Sequence, residues 1–216
     1  MIVGRIVVIE NLSLDGVMQA PGAVDEDPRD GFGHGGWAMP YNDADKGRIM
    51  AGGMAQAGPL LFGRRTYDSL FTAWSGRTDN PFSAVLDNAP KHVVSTTLAE
   101  PLPWINSSLI AGDVAAGMRR LKAASEEDIT VMGSGELVRW LMSRDFVDAY
   151  VLLIHPLVLG SGRRLFPDDG GPAAFRLSDT QTTGTGVIIA TFDRAAPGGG
   201  ANAATGSKAV PAGDTE

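Results

Sequence analysis

The chain contains no cysteine, so disulfides, thiolate metal sites and cysteine nucleophiles are excluded. Histidine is nearly as scarce. His34, His92 and His155 lie far apart and show no H-x-x-x-H spacing, which argues against a metal centre. No apolar run approaches the roughly 18 residues that would suggest a membrane span. The start, MIVGRIVVIENLSLDG, sets a short apolar run between an arginine and a glutamate. That predicts a first strand and not a secretory leader, so a cytoplasmic protein without a membrane partner is expected. Positive charge is in deficit too: 18 Lys and Arg face 25 Asp and Glu, for a net charge of −7. Such a balance disfavours nucleic acid as a partner. An acidic protein that holds a phosphorylated ligand must concentrate its few cations locally, so arginine clusters are informative.

The 216 residues are 44% hydrophobic, enough for one domain with a proper core. From Ala195 to Glu216 the chain is rich in Gly, Ala, Pro and Ser and nearly free of large apolar residues. It cannot offset its ordering entropy, so a folded domain over 1–194 and a disordered tail over 195–216 are expected. Within the domain, strands are predicted at Arg5–Glu10, Pro59–Phe62, Lys91–Ser95, Ile129–Met132, Ala149–Leu159 and Val187–Phe192. Helices are predicted after Asn42 as the cap (with Ile49, Met50, Met54 and Ala57 at helical spacing), and over Thr66–Phe71, Val114–Ala124 and Glu136–Ser143. The turn Thr183-Gly184-Thr185-Gly186 suggests a terminal hairpin. The expected fold is α/β: a mainly parallel central sheet flanked by helices, with an antiparallel C-terminal hairpin.

Three segments leave a strand in the same manner. Gly63-Arg64-Arg65-Thr66 follows a strand and opens a helix, where glycine permits close approach and free amides favour an anion. Taken alone, the arginines read better as a solvated surface pair. Val94 is followed by the hydroxyls Ser95, Thr96 and Thr97, which suit phosphate oxygens or ordinary turn chemistry. Gly133-Ser134-Gly135-Glu136-Leu137 follows a third strand and opens another helix. It lacks the third glycine of the dinucleotide fingerprint, Val138 standing there, and it is not the G-x-S-x-G elbow of a serine hydrolase. Strand ends of an open α/β sheet lie along one edge, where ligands bind. Gly16 to Tyr41 has no periodicity and carries Met18, Phe32, Trp37, Met39 and Tyr41. Those groups either close over a ligand or anchor the loop to the core. Asp168-Asp169-Gly170-Gly171 offers too few spaced oxygens for a cation site.

The ordered set strand-Gly-Arg-Arg-Thr-Tyr, strand-Ser-Thr and strand-Gly-Ser-Gly-Glu-Leu resembles the cofactor-binding segments of dihydrofolate reductase. Asn11-Leu12-Ser13-Leu14-Asp15-Gly16 and Pro156-Leu157-Val158-Leu159-Gly160-Ser161-Gly162 are more similar to the reductase domain of bacterial riboflavin biosynthesis. The resemblance spans almost all of residues 1–194. It implies a dihydrofolate reductase-like fold with Gly63, Arg64, Arg65 and Thr66 on the phosphates of NADPH. Ser95 and Thr96, with Arg64, would take its 2′-phosphate, and Gly133, Ser134, Gly135, Glu136 and Leu137 would cradle the pyrophosphate. Asp15 and Met18 would border the reacting groups, with Trp37 and Met39 on a covering loop. Proton delivery would fall to Asp15, Asp45 or water. In dihydrofolate reductase a helix carboxylate recognises the pterin. The aligned position here is Lys46, with Asp45 one residue earlier and turned by about 100° on a helix. Folate is therefore not the implied substrate. No zinc-binding deaminase set accompanies the domain. The function implied is an NADPH-dependent reductase acting on a C=N or C=O of a small heterocyclic or carbonyl molecule. A non-catalytic nucleotide-binding or stress-related protein of the same fold is the alternative. By the same resemblance the chain forms a homodimer through Ala149–Leu159 and Pro156–Gly162.

Overall fold

A computed structural model describes residues 4–54, 58–166 and 171–195. Ala57, Asp168 to Gly170 and the 196–216 part of the expected tail lie outside the described residues. Among the described residues eight strands form one sheet in the order β4-β3-β2-β5-β1-β6-β8-β7. They are β1 (Ile6–Leu12), β2 (Leu60–Gly63), β3 (Lys91–Val94), β4 (Ser107–Ile110), β5 (Ile129–Met132), β6 (Ala149–Ile154), β7 (Phe175–Thr182) and β8 (Ile188–Arg194). The first six are mutually parallel, and β8 pairs antiparallel with both β6 and β7. The expected α/β class, parallel sheet and antiparallel C-terminal hairpin are what the structure has.

Among the described residues five α-helices cover the two faces: α1 (Ala44–Met54), α2 (Arg64–Trp74), α3 (Pro81–Asn88), α4 (Val114–Ala124) and α5 (Gly135–Met142). Alternation along β1 decides which face each side chain joins. Ile6, Val8 and Leu12 pack with Met118 and Leu121 of α4 and Leu137 and Leu141 of α5. Ile9, of opposite parity, packs with Ile49 and Met50 of α1. On the α1 face a second cluster joins Leu60 and Phe62 of β2 to Met54, Tyr67, Leu86 and the fully buried Trp104. Burial on both faces explains the continuous apolar runs of β2, β5 and β6.

Several boundaries differ from expectation, each for a local reason. The side chain capping α1 is Asp43, whose Oδ1 accepts from the Lys46 amide at 2.8 Å; Asn42 instead ends a short 3₁₀ turn over Met39–Tyr41. Strand β6 stops at Ile154 and not at Leu159. The His155 amide still reaches Leu12 O at 2.7 Å, but Pro156 has no amide to continue the ladder. Helix α2 begins directly after Gly63 and runs to Trp74. Three elements have little sequence signal: α3 is short, β4 is only half-buried, and β7 (FRLSDTQT) is a polar edge strand. Lys91, fully buried, donates to the carbonyls of Leu86, Asp87 and Ala89 and so closes the end of α3. Among the described residues no helix is long and apolar enough to cross a membrane.

Candidate active site

β1 outlasts one of its two neighbours. Its pairing with β5 ends at Ile9↔Met132, whereas its pairing with β6 continues to Leu12↔Ile154. The chain of β5 turns away at Gly133, so a crevice opens at the C-terminal edge of the sheet, where an open α/β fold takes its ligands. A cavity of about 950 Å³ occupies this edge. Gly63 to Thr66, Ser95, Thr96 and Gly133 to Leu137 all line it, so the three strand ends do converge.

The exits from β2 and β5 are built as one unit. Gly133 and Ser134 both adopt left-handed backbone conformations, with φ of 60° and 65°. Glycine takes this at no steric cost, whereas serine there is strained. Ser134 is held by its hydroxyl, which accepts a hydrogen bond from the Gly63 amide at 2.9 Å. Thr66 packs against Gly133, where a Cβ would lie 3.4 Å from Thr66 Cγ2. Leu137 belongs to the core, so only its backbone is free to meet a ligand.

The first amides of a helix have no partner within it. Asp43, Asn80 and Asp113 cap α1, α3 and α4. Helices α2 and α5 have no side-chain cap, and both start on the cavity. Their free amides and dipoles make two adjacent sites for negative charge.

Side-chain charge points the same way. Six basic residues line the cavity, Arg29, Lys46, Arg64, Arg65, Arg139 and Arg163, against four acidic ones, Glu10, Glu26, Asp27 and Glu136. In a chain of net charge −7 this is a marked local reversal. Three guanidinium groups meet on a single oxygen: Arg29, Arg65 and Arg163 donate to Glu136 Oε1 at 2.8, 2.9 and 3.3 Å. Arg29 foremost, with Arg65, holds the Glu136 carboxyl below the usual range. Arg64 makes a weaker pair with Asp68 at 3.3 Å. Ser95 Oγ accepts from the Thr97 and Leu98 amides, so it holds its own turn, while Thr96 is exposed beside it.

Arg29 and Arg163 were not evident as site residues in the sequence. The buried Gln19 brings them together. Its Nε2 donates to the carbonyls of Asp27 and Arg29, and its Oε1 accepts from the Arg163 amide, all at 3.0 Å. Gly162 allows the two loops to touch: a Cβ there would lie 2.6 Å from Phe32 and 2.7 Å from Val17. Met18 lies across Gly135, where a Cβ would meet its Cε at 2.0 Å.

Four expected site residues stand off the cavity wall. Asp15 is a bracket: its carboxylate accepts from Ser13 Oγ and from the Leu159 and Gly160 amides. Those bonds, Ser13 foremost, hold its pKa down at about 2, so it is no proton donor near neutrality. Asp45 is half-buried and paired with Arg48 at 2.8 Å, while Lys46, one residue on, faces the cavity. Trp37 is buried, donates to Gln19 O at 2.7 Å and meets the His155 ring edge-on. Met39 is 54% exposed. Residues Gly16 to Tyr41 are thus anchored by a small core of Val17, Ala20, Phe32, Trp37 and Ala38.

Two further groups came to light only in the structure. Glu10 is buried and lines the crevice, and its Oε1 has no hydrogen-bond partner among the described residues. Burial, reinforced by Glu26, pushes its carboxyl up to about 8. On the opposite face of β1, Asn11 Oδ1 accepts from His155 Nε2 at 3.0 Å. Burial, with the charge of Lys46, pushes the His155 ring down to about 4. Burial also lowers the pKa of Lys46 itself.

A family model described as the RibD C-terminal domain matches residues 5–189. The chain is 27% identical over 139 residues to the uncharacterised protein YyaP of Bacillus subtilis, covering 62% of this chain and 72% of that protein. It is 34% identical over 70 residues to the uncharacterised protein YwjB of the same organism, covering 32% of this chain and 40% of that protein. Among solved structures it resembles a protein provisionally assigned to riboflavin biosynthesis from Shewanella sp. PV-4. The TM-score is 0.63 at 19% identity, over 89% of this chain and 99% of that one. It also resembles a pyrimidine reductase-like protein from Corynebacterium diphtheriae, with a TM-score of 0.60 at 14% identity over 90% and 93% of the two chains. At these identities the two structures speak for the fold.

Proposed function

The chain belongs to the RibD C-terminal domain family, and from this premise we propose that it is an NADPH-dependent reductase acting on a C=N or C=O of a small heterocyclic or carbonyl substrate. One observation carries the reading. A protein of net charge −7 gathers six basic side chains and its two uncapped helix N-termini on a single cavity. That arrangement suits an elongated, multiply phosphorylated nucleotide.

The residues fit such a ligand. The amides at Gly63 to Thr66 and Gly133 to Leu137 would bind phosphate oxygens, with Arg65, Arg29 and Arg163 turning to them from Glu136. Arg64 and Thr96, beside Ser95, would meet a 2′-phosphate. Bound there, NADPH supplies a hydride; the protein supplies orientation, electrostatics and exclusion of water. The substrate side is the α1 face, where Asn11, Lys46, Met50, Met54 and Leu153 form a mixed wall. A flat ring would lie against the apolar groups, and Lys46 Nζ, its proton loosened by burial, would protonate the reduced heteroatom. Asp15 and Asp45 take no part.

The test is NADPH oxidation measured against pterins, pyrimidine-ribityl compounds and quinones. Turnover with one class supports the proposal. Tight binding of NADPH without turnover across the panel favours a non-catalytic nucleotide-binding or stress-related protein. The proposed homodimer would use the 156–162 loop, where Val158 is 67% exposed, because β6 itself is enclosed between β1 and β8. A monomer in solution scattering contradicts it.

A further inference from the structure

Glu10 is an acidic group of the cavity wall that the proposed chemistry leaves without a task. It shares parity with Ile6, Val8 and Leu12, so its side chain lies on the α5 face of β1, opposite Asn11. It stands one residue beyond the last β1–β5 pair, on the wall of the crevice. It is 4% exposed, and its Oε1 meets no donor among the described residues. An unpaired polar atom so placed is destabilising, and an ionised one more so. Replacement by an apolar residue would remove this cost, so its presence calls for a partner from outside the chain.

No cation supplies that partner. The charged groups lining the cavity with it are Glu26, Asp27 and Arg29 of the 16–41 loop, Lys46 of α1, Arg64 and Arg65 of α2, Glu136 and Arg139 of α5, and Arg163. Lys46 belongs to the helix on the other face of β1, and Arg64 and Arg65 pair with Asp68 and Glu136. Arg29 and Arg163 are engaged by Asp27, Asp30 and Glu136, and Arg139 by Arg164 O. The charge that acts on Glu10 is that of Glu26, and it is repulsive. The carboxyl is consequently a neutral acid at pH 7, with one O–H donor and one carbonyl acceptor side by side. A primary carboxamide presents the complementary pair, one acceptor and one N–H donor.

We propose that Glu10, as a neutral carboxylic acid, recognises the carboxamide of the nicotinamide ring in the crevice between β1 and β5. The proposal rests on the NADPH reading, and it assigns the ring end of the cofactor to a side chain that the phosphate segments do not include. Protonation state then governs affinity. Once ionised, Glu10 loses its donor and turns a bare oxygen toward the amide oxygen.

The experiment is equilibrium binding of NADPH between pH 6 and 9.5, followed by fluorescence, for the wild type, Glu10→Gln and Glu10→Leu. Glutamine keeps a donor and an acceptor at every pH, and leucine keeps neither. Wild-type affinity is expected to fall about tenfold as pH rises through 8, the value of one to two hydrogen bonds. Glu10→Gln should bind well with a flat profile, and Glu10→Leu about tenfold more weakly, also flat. The acetylpyridine analogue of NADP⁺, with methyl in place of the amide nitrogen, should bind the wild type less well than NADP⁺. Glu10→Leu should not tell them apart. If Glu10→Leu keeps wild-type affinity, pH profile and discrimination, the assignment of Glu10 is overturned while the cofactor stands. If the wild type binds neither NADPH nor NADP⁺, the cofactor reading falls and this proposal with it.

Discussion

The Gly63 amide donates to the Ser134 hydroxyl at 2.9 Å, and this one bond ties the start of α2 to the start of α5. It also holds a serine in the left-handed conformation at φ 65°. Ser134→Ala keeps the strain and loses the bond. The expected cost is about 1–2 kcal/mol in urea denaturation, with a several-fold loss of NADPH affinity. Ser134→Gly relieves the strain and should recover stability without recovering affinity. Equal affinity in all three proteins would show that the bond does not organise the site.

Glu136 occupies the three arginines that a phosphate would otherwise use. Glu136→Gln removes the charge at nearly constant volume and leaves Arg29, Arg65 and Arg163 without their shared carboxylate. Tighter NADPH binding is predicted, by a few-fold at low salt, with a steeper decline as NaCl is added. The check is a titration series over ionic strength. Weaker binding in the variant would mean that Glu136 positions the arginines and does not compete with the ligand.

Asp15 is predicted to be structural. Its depressed pKa means its contribution to stability is complete above the unfolded value near 3.9 and is lost as pH falls through about 2. Asp15→Asn weakens the bonds to the Leu159 and Gly160 amides. It should lower stability by about 2 kcal/mol at pH 7 while NADPH still binds. Loss of cofactor binding in a folded Asp15→Asn protein would return Asp15 to the site.

His155 and Glu10 act on stability from opposite sides. The His155 pKa is lowered, so its contribution is present above about 6.5 and disappears as pH falls toward 4. The Glu10 pKa is raised, so its effect is most favourable below about 4.5 and is lost as pH rises through 8. Thermal melts should therefore show Glu10→Leu gaining on the wild type with rising pH. His155→Gln should flatten the acid limb. A Glu10→Leu difference that stays constant from pH 5 to 9 would contradict the neutral carboxyl.

The strand-exit half of the cavity was legible because local chemistry marks it: glycine at a strand exit, then basic or hydroxyl residues on a helix start. Val114–Ala124 and Ile129–Met132 were legible in the same way, from periodicity alone, and appear as α4 and β5 with those bounds. What escaped depends on contacts distant in sequence. Arg29 and Arg163 reach the cavity through Gln19, 144 positions from Arg163, and no local pattern reports such a bracket. Glu10 did leave a trace, since a glutamate at the core-facing parity of Ile6, Val8 and Leu12 breaks the pattern of β1. Asp15 was misplaced for the converse reason: a motif aspartate beside the crevice serves two loop amides and not a ligand. The loop from Gly16 to Tyr41 carried apolar groups that suit a lid, and the structure uses Trp37 and Phe32 as its anchors.

The affinity predictions above depend on the proposal that NADPH binds in this cavity, with Arg64 and Thr96 on its 2′-phosphate. Equilibrium fluorescence titration of the full chain with NADPH and with NADH, repeated for Arg64→Ala, tests it most directly. NADPH is expected to bind at least tenfold more tightly than NADH, about 1.4 kcal/mol, with most of that preference lost in Arg64→Ala. Equal affinities in the wild type, or no binding of either nucleotide, would contradict it.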